Sequence, residues 1–213
     1  MPLDPSAPPP DAASHRYGGA AAALLLTASL GACAPAGPST PSIRAVNGSA
    51  SEEARVEQIR RVLDRWDVEP WIYTREIQVE DRVVPHSHPV LTLNARAAPD
   101  DEVLATFLHE QFHWLEDAQP GFRAAMRAFA DAYPDAPAGG PEGARDLEST
   151  YRHLVVNDLE YQALTALVGQ DRAREILAGH RFYTWIYDRV LDDPEVRRIL
   201  RAHGMTLDEV AVR

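Results

Sequence analysis

From residue 52 onward the chain alternates between apolar stripes at helical spacing and short β-branched runs. Val56, Ile59, Leu63 and Trp66 recur every three or four positions, which predicts a helix over residues 52–66. Residues 71–94 follow another rhythm. Ile77, Val79, Val83, Val84 and the run from Val90 to Leu93 are β-branched or apolar, and Pro85 and Pro89 break them up, so they predict short strands. Helical spacing then returns for residues 100–116 and 122–133. Pro134, Pro137, Gly139, Gly140 and Pro141 mark a loop. Further helices are expected over 145–168, 171–178 and 194–203, with an aromatic-rich segment at 181–191. The predicted class is α+β and mostly helical. A small N-terminal sheet is expected, with its edge strand just ahead of the helix over 103–117.

That helix has two unlike halves. At about 100° per residue, Val103, Leu104, Phe107, Leu108, Phe112, Trp114 and Leu115 share one side. Thr106, His109, Glu110, His113, Glu116 and Asp117 share the other. Asp100, Asp101 and Glu102 follow Pro99, placing acids at the positive end of the helix dipole. The polar side contains His109-Glu110-Gln111-Phe112-His113, the pattern H-E-x-x-H. Residues four apart lie on one helix face, so both imidazoles can reach one ion. Zinc favours imidazole nitrogen, and a catalytic zinc keeps one position for water. Glu110 falls beside that position, where it can take the water's proton. Chance alone gives about 0.02 such matches in a chain of this composition. The expectation is one Zn2+ per chain, held by His109 and His113, with Glu110 as the base.

A third ligand is needed. Glu160 sits among Val156, Asn157, Ala163 and Leu164, and a carboxylate on such a face is costly to bury unless paired or metal-bound. Glu160 is therefore the expected third ligand. Its alternative role is an ion pair with an arginine. Asp158 points elsewhere. His153 lies seven positions before Glu160 on the same face, as a residue supporting a ligand or as a donor to the transition state. Asp117 is a lesser alternative ligand. His86-Ser87-His88 could form a second metal pair or line the cleft. Tyr183 is the favoured oxyanion donor outside the metal helices, whereas Phe182 and Trp185 read as an aromatic core stripe.

Composition narrows the partners. The formal net charge is -11, and all 21 basic residues are arginines. So acidic a chain repels phosphates, which argues against nucleic acid. The single cysteine, Cys33, excludes an intrachain disulfide. It ends an apolar run introduced by His15 and Arg16, and Leu30-Gly31-Ala32-Cys33 resembles a bacterial lipobox. The expected organisation is a lipoprotein-type signal over 1–32, a lipidated Cys33, a flexible Pro/Ser/Gly/Ala-rich linker over 33–51 and a folded domain over 52–213. The domain would then sit in the bacterial cell envelope, attached to a membrane through Cys33.

The H-E-x-x-H of residues 109–113, the downstream Glu160 and the strand candidate from Pro89 to Asn94 together resemble the gluzincin type of zinc peptidase, in a minimal form. The resemblance implies a zincin-like fold, ligands His109, His113 and Glu160, base Glu110, and a peptide or protein substrate. It also implies that the strand ahead of the metal helix pairs with an extended substrate. The chain departs from that type in size and in having Ala163 three positions after Glu160, where an acidic residue is familiar. Two other functions remain open: a non-catalytic zinc lipoprotein that binds a partner in its cleft, and a zinc hydrolase of non-peptide amides or esters.

Overall fold

The computed structural model describes residues 40–211, apart from the Asp117 side chain. Cys33 and the expected signal segment lie outside the described residues. The sheet begins earlier than the sequence suggested. Strand β1 (Ser42–Ala45) falls inside the expected linker, and residues 42–51 belong to the fold. Helix α1 (Ala50–Arg65) follows, then a 3-10 turn (Glu69–Trp71) and strand β2 (Glu76–Glu80). Strand β3 (Leu91–Asn94) completes a three-stranded parallel sheet in the order β1-β2-β3. Ile43 pairs with Ile77, and Ile77 with Leu91.

Helix α1 is the crossover that two parallel neighbours require. Its start is fixed chemically. Ser49 Oγ accepts from Glu52 N at 3.2 Å, and the buried Glu52 carboxylate accepts from Ser49 N, Asn47 N and Nδ2, and Asp81 N. Val56, Ile59 and Val62 form its buried stripe. The connection over residues 81–90 is not the strand expected around Val83 and Val84. It passes to the far side of β3, where His86 and Thr92 exchange backbone hydrogen bonds of 3.0 and 2.8 Å.

Helix α2 (Asp100–Phe112) carries the histidine motif. It stops sooner than its amphipathic pattern suggests. His113 is its C-cap in helical geometry, Trp114 N donates to Gln111 O, and a separate turn, α3 (Leu115–Ala118), follows. Helix α4 (Pro120–Ala132) leads into the Pro/Gly loop. Helix α5 (Leu147–Val168) is the spine of the helical part. Asp146 caps its start, accepting from Ser149 N at 2.7 Å, and Gly169 ends it at φ +86°, a conformation suited to glycine. Helices α6 (Gln170–Ala178), α7 (Thr184–Asp192), α8 (Pro194–Ala202) and α9 (Leu207–Val210) complete the chain. Helices α2, α4, α6 and α7 all pack on α5, most of whose residues between Ser149 and Leu164 are buried. Among the described residues, no helix is long and apolar enough to cross a membrane.

Candidate metal centre

Where α2 packs against α5, three imidazoles meet. One ring nitrogen of each of His109, His113 and His153 lies within 4.8 Å of the other two, close enough to hold a metal ion. The Nε2 atoms of His109 and His113 are 3.2 Å apart. Nitrogens around a tetrahedral zinc stand about 3.4 Å apart, so this pair is already at ligand spacing.

The far nitrogens explain the orientation. His109 Nδ1 donates to Glu160 Oε2 at 3.0 Å, and His153 Nδ1 donates to the Ser149 carbonyl at 2.7 Å. A carboxylate and a carbonyl only accept here, so each Nδ1 carries a proton, and Nε2 is the nitrogen able to ligate when the ring is neutral. Burial, then the charge of His109, drives His113 well below the usual histidine range. The same causes lower His153 to about 3. Both rings are thus neutral and able to ligate at neutral pH. His109 differs. Burial would lower it, but the hydrogen bond and charge of Glu160, with the charge of Glu110, outweigh burial and raise it.

Glu160 and His153 therefore exchange the places expected of them. Glu160 sits behind His109, on the opposite side of the ring from Nε2, and His153 occupies the third position of the cluster. His109 lies between them: its Nδ1 meets Glu160, while its Nε2 faces the imidazole cluster that His153 joins. Glu160 is 1% exposed and has no arginine partner among the described residues. Its second donor is Tyr187 Oη, at 3.0 Å from the same oxygen. The sequence places Tyr187 in one constellation with His180 and Tyr183 at spacings of three and four, but favours Tyr183 and does not pair Tyr187 with Glu160. Asp158 does point elsewhere, to Arg197 Nη2 at 2.9 Å.

Glu110 is 6% exposed, beside the imidazoles. Burial raises its pKa, the negative charge of Glu160 adds to this, and His109 and His86 oppose it. A cavity of about 370 Å³ opens over it, lined also by His86, Ser87, His88, Arg152 and Tyr183. The Tyr183 backbone is left-handed (φ +60°, ψ 29°), which costs a non-glycine residue about 1 kcal/mol. This strain aims its ring at the site, 4.3 Å from the ring of His153 and stacked 6.3 Å from that of His109.

The other candidates lie apart from the cluster. His86 and His88 line the cavity but are exposed and do not join it; His88 stacks on Trp114 at 4.2 Å. Glu116 is held by Arg152 at 2.7 Å and by Arg123 at 2.9 Å. Phe182 is 69% exposed rather than core, while Trp185 packs edge-on against Tyr133. The outer edge of β3 is closed at Thr92 by His86, so the expected substrate edge is not free there. No family model matches the chain, and no curated protein or solved structure shows significant similarity to it.

Proposed function

We propose that the domain is a zinc-dependent metallopeptidase. The observation that carries this reading is the convergence of three imidazoles, two of them held from behind by hydrogen bonds, beside a buried carboxylate in a cleft. The donor set fits zinc: His109, His113 and His153 would hold the ion through Nε2, with Glu160 and Ser149 O fixing two of the rings from behind. Three protein ligands leave the fourth position open, which is the catalytic rather than the structural pattern. Zinc bound there supplies an acidified water and a Lewis acid for a substrate carbonyl.

The chain's own groups do the rest. Glu110 accepts a proton from water and can hand it to the leaving amine. Tyr183 stands over the cluster as a donor to the developing oxyanion. In the same proposal Cys33 carries a lipid that tethers the domain in a bacterial envelope.

Two measurements test the assignment. Glu110→Gln should retain about one zinc per chain and lose at least ~100-fold of activity on an unstructured protein substrate. Unchanged activity in Glu110→Gln would sink the mechanism. His153→Ala should emerge from purification without stoichiometric metal by elemental analysis, and full metal retention would remove His153 from the ligand set.

A further inference from the structure

Two arginines, Arg145 and Arg152, line the cleft along with the imidazoles and Glu110. Arg152 stands on α5 one position before His153, and its side chain is 24% exposed. Two glutamates hold it. Its Nε donates to Glu116 at 2.7 Å, and its Nη2 donates to Glu116 and to Glu148, both at 3.4 Å. A guanidinium has five N–H donors. These bonds use Nε and Nη2, and Nη1 takes part in none of them. The charge of Arg152 is only partly offset, because Glu116 is shared with Arg123 at 2.9 Å and the Glu148 side chain is 69% exposed. That charge reaches the cluster, where it contributes to the lowered values of His113 and His153. Arg145, with its side chain 84% exposed, pairs with the neighbouring Asp146 at 3.0 Å. A pair that served only to tie α5 to α3 would have no reason to leave Nη1 uncommitted on a residue that lines the cavity.

Closure of the β3 edge by His86 removes strand addition at Thr92 as a means of holding a peptide, so affinity has to come from the side chains of the cleft. At about 370 Å³ the cavity is near the small end of ligand pockets, which run from about 300 to 1,000 Å³. A short stretch of chain fills it, and for so small an occupant one charged hydrogen bond is a large part of the affinity. Two arginines at the cleft of a chain with net charge -11 favour an anionic group there. We propose that Arg152, supported by Arg145, forms a carboxylate subsite beside the imidazole cluster, so that the peptide is held by a free carboxylate as well as by the amide presented to Glu110. A guanidinium matches the two oxygens of a carboxylate, and Glu116 fixes where it stands. The carboxylate comes from the C-terminus of the peptide or from an acidic side chain. The subsite rests on the peptidase reading for the nature of its occupant.

Binding tests it separately from catalysis. Zinc-loaded full chain carrying Glu110→Gln is titrated by fluorescence anisotropy with three N-terminally labelled tetrapeptides. One is tetra-alanine as the free acid, one is the same peptide as its C-terminal amide, and one is that amide with glutamate as its last residue. At least one of the two carboxylate-bearing peptides should bind ~10-fold tighter than the neutral amide. Preference for the free acid assigns the subsite to a C-terminus; preference for the glutamate amide assigns it to an acidic side chain. Adding Arg152→Gln, with metal content and melting checked, should bring all three peptides within about twofold. Arg152→Lys keeps a charge opposite Glu116 but loses the fork, and should still lower the preference at least ~3-fold. Arg145→Gln, at an exposed position, should lower it less. Equal binding of the three peptides by the starting protein overturns the proposal. So does a preference undiminished in Arg152→Gln or Arg152→Lys, which places the carboxylate on the metal instead. Cleavage by the wild type without any carboxylate preference removes the subsite and leaves the peptidase. Preference in a chain whose wild type cleaves nothing removes the peptidase and leaves the subsite.

Discussion

Glu160 Oε2 receives two hydrogen bonds, one from a candidate ligand and one from a tyrosine buried beside it. A carboxylate in that position orients His109 and raises its basicity without touching the ion. Glu160→Gln should therefore weaken zinc binding by about 10–100-fold, measured by chelator competition, whereas His153→Ala should abolish stoichiometric binding. Equal losses in the two variants would put both residues in contact with metal. The motif residues 109–113 were legible because helical spacing alone brings two imidazoles together. The third position was not. His153 and Glu160 share a face of α5, and burial cost singled out the carboxylate. Which of them joins the imidazole cluster and which backs His109 depends on how the two helices pack, a tertiary quantity that no local pattern encodes.

At the level of elements, the unspecified residues of the motif matter. Gln111 is fully buried and ties α2 to the chain ahead of β2. Its Oε1 accepts from Tyr73 N and Thr74 N at 2.9 and 3.0 Å, and its Nε2 donates to Thr74 O at 2.9 Å. Gln111→Leu leaves those backbone groups without partners and should cost about 2 kcal/mol in chemical denaturation. Glu52 plays a comparable part for α1. Its hydrogen bonds, led by that from the Asn47 side chain, hold its pKa down to about 2 from an ordinary 4.5. The folded value is the lower one, so this stabilisation is complete above about pH 4.5 and vanishes as pH falls towards 2. Glu52→Gln should melt below wild type at pH 7, and the gap should narrow between pH 4.5 and 2. A constant gap would show that the carboxylate charge is irrelevant. Helices α1, α4, α5 and α8 could be read from periodicity, although α1 and α4 begin two residues earlier, at Ala50 and Pro120, than their apolar stripes suggest. Strand β1 could not, because four residues beside Pro- and Ser-rich chain give no periodic signal and owe their conformation to pairing with β2. The end of α2 at Phe112 was equally silent, with no glycine or proline to mark it.

Across the whole molecule the expected mixture holds: mostly helical, with a small sheet near the N-terminus. Its all-parallel order was beyond the sequence, because register and neighbour choice are settled by long-range packing of α1. The candidate ligands come from α2 and from α5, either side of the stretch that contains α3, α4 and the Pro/Gly loop. Removing metal with a chelator should therefore lower the melting temperature of the whole domain, not only its activity, and added zinc should restore it in calorimetry. An unchanged melting curve would separate the metal from the fold. The chain's single cysteine stands at position 33, outside the described domain, so no disulfide can clamp these helices together. An ion bridging His113 and His153 would serve as a reversible cross-link in its place. Such a clamp has adjustable strength: free metal at a thousand times its dissociation constant adds about 4 kcal/mol, and scarcity withdraws it. Resistance to degradation would then follow the metal supply of the compartment, so that chains unable to load an ion are also the ones most readily cleared.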